Sequence, residues 1–295
     1  MATRLQGQGD AGLEGLCEPG PRGGRARGAS IRIGRGAAGI ERVEARFTGQ
    51  AFSPHRHDTY ALGITLSGVQ AFRYRGEQRH CLPGQGHILH PDEIHDGGAA
   101  TGDGFGYRIL YIDPVLVQQA LGGRPLPFVP DPVVRHPQPI SGLMACLGDI
   151  DDPVDEVEAA DITVSVAATL EALSAPAAGK PGLLRIPALL RVRDMIAARP
   201  SAPFSVEDFE GVAGLDRWTI ARQFRAAFGT SPSRFRTMRQ LDQARRLINQ
   251  GAPLSEAALD AGFADQSHMS RMFKRSYGLT PGQWAAALGE PKTLL

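Results

Sequence analysis

Between residues 183 and 295 the chain repeats itself at an offset of 49, matching Asp216/Asp265, Arg222/Arg271, Phe224/Phe273, Phe228/Tyr277, Gly229/Gly278, Pro232/Pro281 and Phe235/Trp284. Self-similarity at a fixed period means that one supersecondary unit is used twice. The matched residues are those that start and stop helices. Asp216 and Asp265 stand where an N-cap accepts backbone N–H groups. Gly229 and Gly278 follow the last turn as C-terminal caps, and Pro232 and Pro281 open the next helix behind Ser231 and Thr280. Each copy therefore predicts a capped helix of about three turns, followed at once by another.

A short helix ending in a glycine turn lies upstream of each copy: Ser205 caps Val206 to Ala213 before Gly214, and Ser255 caps Glu256 to Ala261 before Gly262. Short helix, glycine turn and longer helix together have the form of a helix-turn-helix. Ile220, Phe224 and Phe228 share one face of the first longer helix, as do Met269, Phe273 and Tyr277 in the second. The opposite faces carry Arg217, Trp218, Ala221, Arg222 and Arg225, and then Gln266, Ser267, His268, Ser270, Arg271 and Lys274. Arg can fork onto guanine, Gln onto adenine, and Lys or Ser can bind phosphate. Exposed helix faces are polar in most proteins, so no one of these residues identifies a base reader. Two similar capped helices with similar polar faces in one domain do, because a core alone needs no such pair.

Charge agrees with this placement. Residues 183–295 hold 16 Lys+Arg against 10 Asp+Glu, whereas residues 1–182 hold 16 against 21. A basic half suits a phosphate backbone and an acidic half avoids it. A helix from about Arg236 to Asn249, with Met238, Leu241, Ala244, Leu247 and Ile248 apolar, is expected to join the two units. Two readers on one side of a duplex need a separation of about 34 Å.

Residues 183–290 resemble the double helix-turn-helix domain of AraC/XylS-type regulators. The segment from Gly262-Phe263-Ala264-Asp265-Gln266-Ser267-His268-Met269 to Gly278-Leu279-Thr280-Pro281 carries the resemblance most strongly. It implies transcription regulation through contacts from Trp218, Arg222, Gln266, Ser267, His268 and Arg271. Its implied partners are double-stranded DNA, a small-molecule effector, a second copy of the chain as a homodimer, and RNA polymerase. Ala221 departs from the long polar side chain often found at that place, so the first unit is expected to contribute less to base reading.

The front half is punctuated differently. Phe47 to Phe52, Tyr60 to Leu66, Gln70 to Tyr74, Gly86 to Leu89 and Tyr107 to Ile112 are expected strands, separated by turns such as Arg75-Gly76-Glu77 and Pro83-Gly84. Many short strands predict a sandwich or small barrel. Helical periodicity follows in Val115 to Leu121, Ile140 to Leu147 and Val154 to Leu173, the last with Ile162, Val166, Leu170 and Leu173 as one stripe. That stripe packs either against its own sheet domain or against a second copy. The expected class is α+β: a cupin-like β-barrel with helices, then an all-α domain with two helix-turn-helix units. The expected divisions are a disordered Gly-rich arm at 1–30, a sensor at 31–113, a helical dimerisation segment at 114–175, a linker at 176–182 and the DNA-binding domain at 183–290.

His55-Arg56-His57 and the later His95, within His90-Pro91-Asp92-Glu93-Ile94-His95, put two imidazoles on one strand face and a third within reach. This spacing is similar to the cupin-type sensor domain of the same regulators, which implies a barrel holding an effector. His55, His57, Tyr60, Tyr74 and His95 are the expected effector contacts. Cupin enzymes add a Glu to such histidines, but Tyr60-Ala61 stands at that place. No metal, cofactor or catalytic residue is therefore assigned. Effector contact, zinc held by three neutral imidazoles and simple hydrogen bonding to loop backbone all stay open. A metal-dependent cupin enzyme with an accessory DNA-binding domain is the competing function. Three scattered cysteines, Cys17, Cys81 and Cys146, predict free thiols. No long apolar run or export signal is seen, so a cytoplasmic protein with no membrane partner is expected.

Overall fold

The computed structural model describes residues 30–175, 183–277 and 280–282. The expected arm, the linker, the cap at Gly278 and the repeat position Trp284 lie outside these residues. The described part is α+β, as its sequence pattern predicts.

Two antiparallel sheets form the front half. One has six strands: β1 (Ser30–Ile33), β2 (Ile40–Phe47), β9 (Phe105–Ile112), β4 (Tyr60–Gly68), β7 (Gly86–Leu89) and β10 (Val133–Val134), in that spatial order. The other runs β3 (Gln50–His55), β8 (His95–Ala99), β5 (Gln70–Tyr74), β6 (Glu77–Cys81). Phe47 to Phe52, expected as one strand, is instead split between the two sheets: β2 ends at Phe47, and Gly49 takes φ 77° in the turn that leads into β3 of the other sheet. A positive φ is open to glycine at little cost.

The larger sheet is buried on both faces, and strand parity sorts its side chains. Ala61 of β4 faces the space between the sheets, with Phe47, Phe52, Phe72, Tyr107 and Tyr111. Tyr60, Leu62 and Ile64 face the other way, onto α1 (Pro114–Ala120), α2 (Pro137–Leu147) and α3 (Glu156–Leu173). The stripe Ile162, Val166 and Leu170 is buried in this second layer, with Leu173 packed at its margin. It is therefore taken up within the chain, and Val157 and Val164 are the large apolar residues that α3 leaves exposed. Arg42 is fully buried on the same side, its guanidinium donating to the carbonyls of Leu147, Arg35 and Asp152. Leu147 closes α2, where the helix dipole is negative.

The second half has six helices among the described residues: α4 (Ile186–Ala198), α5 (Val206–Ala213), α6 (Arg217–Phe228), α7 (Pro232–Asn249), α8 (Leu254–Asp260) and α9 (Gln266–Tyr277). The first unit's core gathers Leu189, Val192, Ile196, Ile220, Phe224, Phe228 and Phe235. The second gathers Met238, Leu241, Ala244, Ile248, Ala257, Met269, Phe273 and Tyr277. Thus α7 gives its first turn to one core and the rest to the other. Ser205 caps α5 in a reciprocal capping box with Asp208, and Gly214 closes that helix at φ 64°. The expected cap at Ser255 is not formed. α8 starts at Leu254 behind Pro253, so Ser255 lies inside the first turn.

Candidate functional site

The two longer helices of the helix-turn-helix units, α6 and α9, are positioned as their caps dictate. Asp216 accepts from the backbone N–H groups of Trp218 and Thr219 at 3.0 Å each, and Gly229 ends α6 at φ 74°. A cap of this kind is worth roughly 1 kcal/mol. Asp265 likewise accepts from His268 N at 2.6 Å. Phe224 and Phe273 then anchor the inner faces, both at 0% exposure.

On the outer face of α6, Trp218 is 71% exposed and Arg222 and Arg225 are exposed, with Arg222 donating to the Thr219 hydroxyl at 3.2 Å. Arg217 is exposed too, but its guanidinium is folded onto Glu210 at 3.0 Å and Glu207 at 3.2 Å of the preceding helix. On α9, Gln266, Ser267, Arg271 and Lys274 are exposed, while His268 and Ser270 are half-buried. The His268 ring stands edge-on to Phe263 at 5.4 Å, which fixes the turn before α9 as well as the start of the helix. All ten expected DNA-facing residues thus lie on α6 or α9; eight are exposed, and His268 and Ser270 are half-buried.

The five expected effector residues separate into two groups. His55, His57 and His95 converge, with ring centroids 4.4 Å apart for His55–His95, 4.8 Å for His57–His95 and 6.2 Å for His55–His57. Each Nδ1 bonds a backbone carbonyl: Ser53 at 2.8 Å, Thr59 at 2.9 Å and Glu93 at 2.9 Å. Those acceptors place the proton on Nδ1 and leave Nε2 a lone pair. The Nε2 atoms of His55 and His57 are buried without a partner. Burial lowers all three imidazole pKa values, that of His57 to about 3, which keeps the rings neutral. Among the described residues no group of three or more His, Cys, Asp or Glu side chains is placed to hold a metal ion.

Tyr60 and Tyr74 do not join this cluster. Parity sends Tyr60 to the helical layer, where its hydroxyl donates to Pro127 O at 3.3 Å. The Tyr74 hydroxyl is spent on His90, accepting from its backbone N at 3.1 Å and meeting Nδ1 at 3.0 Å. Arg108 pairs with Glu44 at 2.6 Å and donates to Gly148 O.

Residue patterns gave no sign of the contacts that tie the two halves together. Asp58, next to His57, is ion-paired with Arg239 of α7. Asp92 holds a left-handed φ of 64°; it pairs with Arg234 at 3.0 Å and accepts from the Thr230 hydroxyl at 3.1 Å. Asp113 pairs with Arg193 of α4 at 2.9 Å, and Leu126 N donates to Ala226 O at 2.8 Å.

An enclosed two-sheet domain joined to two groove-ready helix-turn-helix units defines a ligand-sensing DNA-binding protein. Comparison with known proteins gives the family. Residues 37–163 match the AraC-like ligand binding domain, and residues 211–287 match a helix-turn-helix domain. The chain belongs to the AraC-type transcription regulators, with a ligand-binding domain ahead of a helix-turn-helix DNA-binding domain. An uncharacterized HTH-type transcriptional regulator, YbfI of Bacillus subtilis strain 168, is 24% identical over 238 residues, 77% of this chain and 86% of that protein. The transcriptional activator NphR of a Rhodococcus species is 28% identical over 148 residues, 48% of this chain and 44% of that one. ToxT of Vibrio cholerae O395 shares the fold: TM-score 0.57 at 11% identity, covering 86% of this chain and all of that one. A further ToxT structure contains an unsaturated fatty acid.

Proposed function

We propose that the chain is a cytoplasmic, sequence-specific regulator in which α6 and α9 enter successive major-groove segments and a small molecule bound in the front domain sets their readiness. The observation that carries this reading is α9, where Gln266, Ser267, Arg271 and Lys274 are exposed opposite fully buried Met269 and Phe273. Such a helix offers base and phosphate contacts without disturbing its own packing. Arg222, Arg225, Trp218, His268 and Ser270 complete the interface. Arg217 acts mainly by bracing α6 on α5.

The regulator acts without catalysis. It works as a homodimer that also touches RNA polymerase, and the exposed Val157 and Val164 of α3 give the second copy an apolar footing. Two copies present two double readers, which raises avidity with no new type of contact.

Selection of bound sequences from a random duplex pool, followed by titration across salt, tests the reading. A defined motif in two segments about one helical turn apart is expected, with affinity falling steeply as salt rises. Flat salt dependence, or no enriched motif, overturns it.

A further inference from the structure

We propose that Val115 and Leu126, two residues of the front half, are positioning residues for DNA reading. The front domain completes the first helix-turn-helix unit and so sets the pose of α6, while α9 is held by its own core. The proposal rests on the reading of α6 and α9 as the DNA-contacting helices and adds how one of them is governed.

A core is shared on one side only. Val115 of α1 is buried in the first unit's core with Leu189, Val192, Phe224 and Phe235, whereas nearby Val117 is buried in the helical layer of the front domain. Among the described residues, the second unit's core draws only on the segment from Met238 to Tyr277. α9 passes β3 at the surface of the front domain but shares no core with it.

The C-terminal end of α6 is also finished by the front domain. The last four carbonyls of a helix have no partner within it. Here the Arg225 carbonyl accepts from Gly229 N and the Ala226 carbonyl accepts from Leu126 N, both at 2.8 Å. Pro91 seats against the same turn, where a Cβ on Gly229 would lie 2.8 Å from the Pro91 Cβ.

Leu126 is in turn fixed to the sheet. It lies in a strap with Pro125, Pro127, Pro130 and Pro132, whose rings restrict the backbone. The Tyr60 hydroxyl of β4 donates to Pro127 O, and His90 Nε2 accepts from Val129 N. A shift of β4 or of the turn at His90 therefore reaches the end of α6 through a few residues. Trp218 stands about two turns from Ala226, about 12 Å along the axis, so a tilt of about 10° at that end displaces it by about 2 Å. A displacement of that size breaks a hydrogen bond to a base.

The test uses the full chain and an operator selected from a random duplex pool. Arg222→Ala and Arg271→Ala first assign one operator segment to α6 and the other to α9. Leu126→Pro then deletes the N–H at a residue that Pro127 already holds extended, and Val115→Ala thins the shared core. Each should cut discrimination against mismatched bases in the α6 segment by about 5-fold or more, and in the α9 segment by less than about 2-fold. Leu126→Ala, which keeps the N–H, should restore the parent profile. Hydrogen exchange of the same proteins is the second readout: faster exchange is expected in α6 and unchanged exchange in α9. Equal losses in both segments, or no loss in either, overturn the proposal and leave the DNA-reading assignment standing. A parent chain that enriches no motif overturns that assignment, and this proposal with it.

Discussion

Asp58, the residue after His57, is ion-paired across the domain boundary with Arg239 on the helix that joins the two helix-turn-helix units. Their side chains are 12% and 26% exposed, so the pair sits largely out of water. Removing Arg239 strands the Asp58 carboxylate, whereas Arg239 without Asp58 keeps its second pair, with Asp242 at 3.1 Å. Asp58→Ala and Arg239→Ala should each destabilise the chain by about 2–4 kcal/mol, and the double variant by clearly less than their sum. Urea denaturation of the four proteins measures this, and strict additivity would show that the pair contributes nothing as a pair.

Arg271 is exposed on α9 and has no ion pair among the described residues. Arg271→Ala should leave the melting temperature unchanged and cost about 1–3 kcal/mol of binding, with relaxed preference at one base position. Electrophoretic mobility measurements against a set of single-base operator variants distinguish this from phosphate contact, which would weaken all sequences alike.

Gly63 is required by its neighbour. A Cβ there would lie 2.4 Å from the His87 ring and 3.1 Å from the Arg108 carbonyl. Gly63→Ala should therefore destabilise the front domain by about 1–3 kcal/mol. His87→Ala in the same chain should restore part of the loss, because the ring is the nearer obstacle. Calorimetry of both variants checks the prediction, and no rescue would place the strain at the carbonyl.

His90 makes the sheet domain sensitive to acid. Its Nε2 accepts from Val129 N at 3.1 Å, and Tyr74, Arg75 and Glu93 surround the ring. Burial lowers its pKa from 6.5 to about 4, with Arg75 reinforcing the shift and Glu93 opposing it. A depressed histidine contributes stability that is present above pH 6.5 and lost as pH falls through about 4. The full effect is on the order of 3 kcal/mol. Denaturation midpoints between pH 7 and 4 should fall less steeply in His90→Gln than in the parent chain.

The DNA-binding half was largely legible because its signals are local. Asp216, Gly229 and Ser231 cap helices by contacts within a few residues, and the repeat exposed them twice. The sheet domain was harder. β8, His95–Ala99, contains two glycines and no β-branched residue, and is a strand only because β3 and β5 flank it. β2 carries Arg42 into a buried layer, where the carbonyl of nearby Arg35 and the distant ones of Leu147 and Asp152 receive it. Tyr60 was assigned to the site because it is near the histidines in sequence, but the alternation of β4 turns it to the opposite face. The pairs Asp58–Arg239 and Asp92–Arg234 join residues more than a hundred positions apart, beyond the reach of any spacing rule.

The sharing of α7 between two cores has a geometric consequence. Each residue of an α-helix advances the chain by about 1.5 Å and turns it by about 100°. Adding or deleting a single residue between Phe235 and Met238 would leave both helix-turn-helix units chemically intact. It would also swing Gln266 and Arg271 about a quarter-turn away from the direction set by Trp218 and Arg222. The length of one continuous rod thus sets the phase between α6 and α9, so the angular relation that any duplex touched by both helices must match is written in the chain as a count of residues.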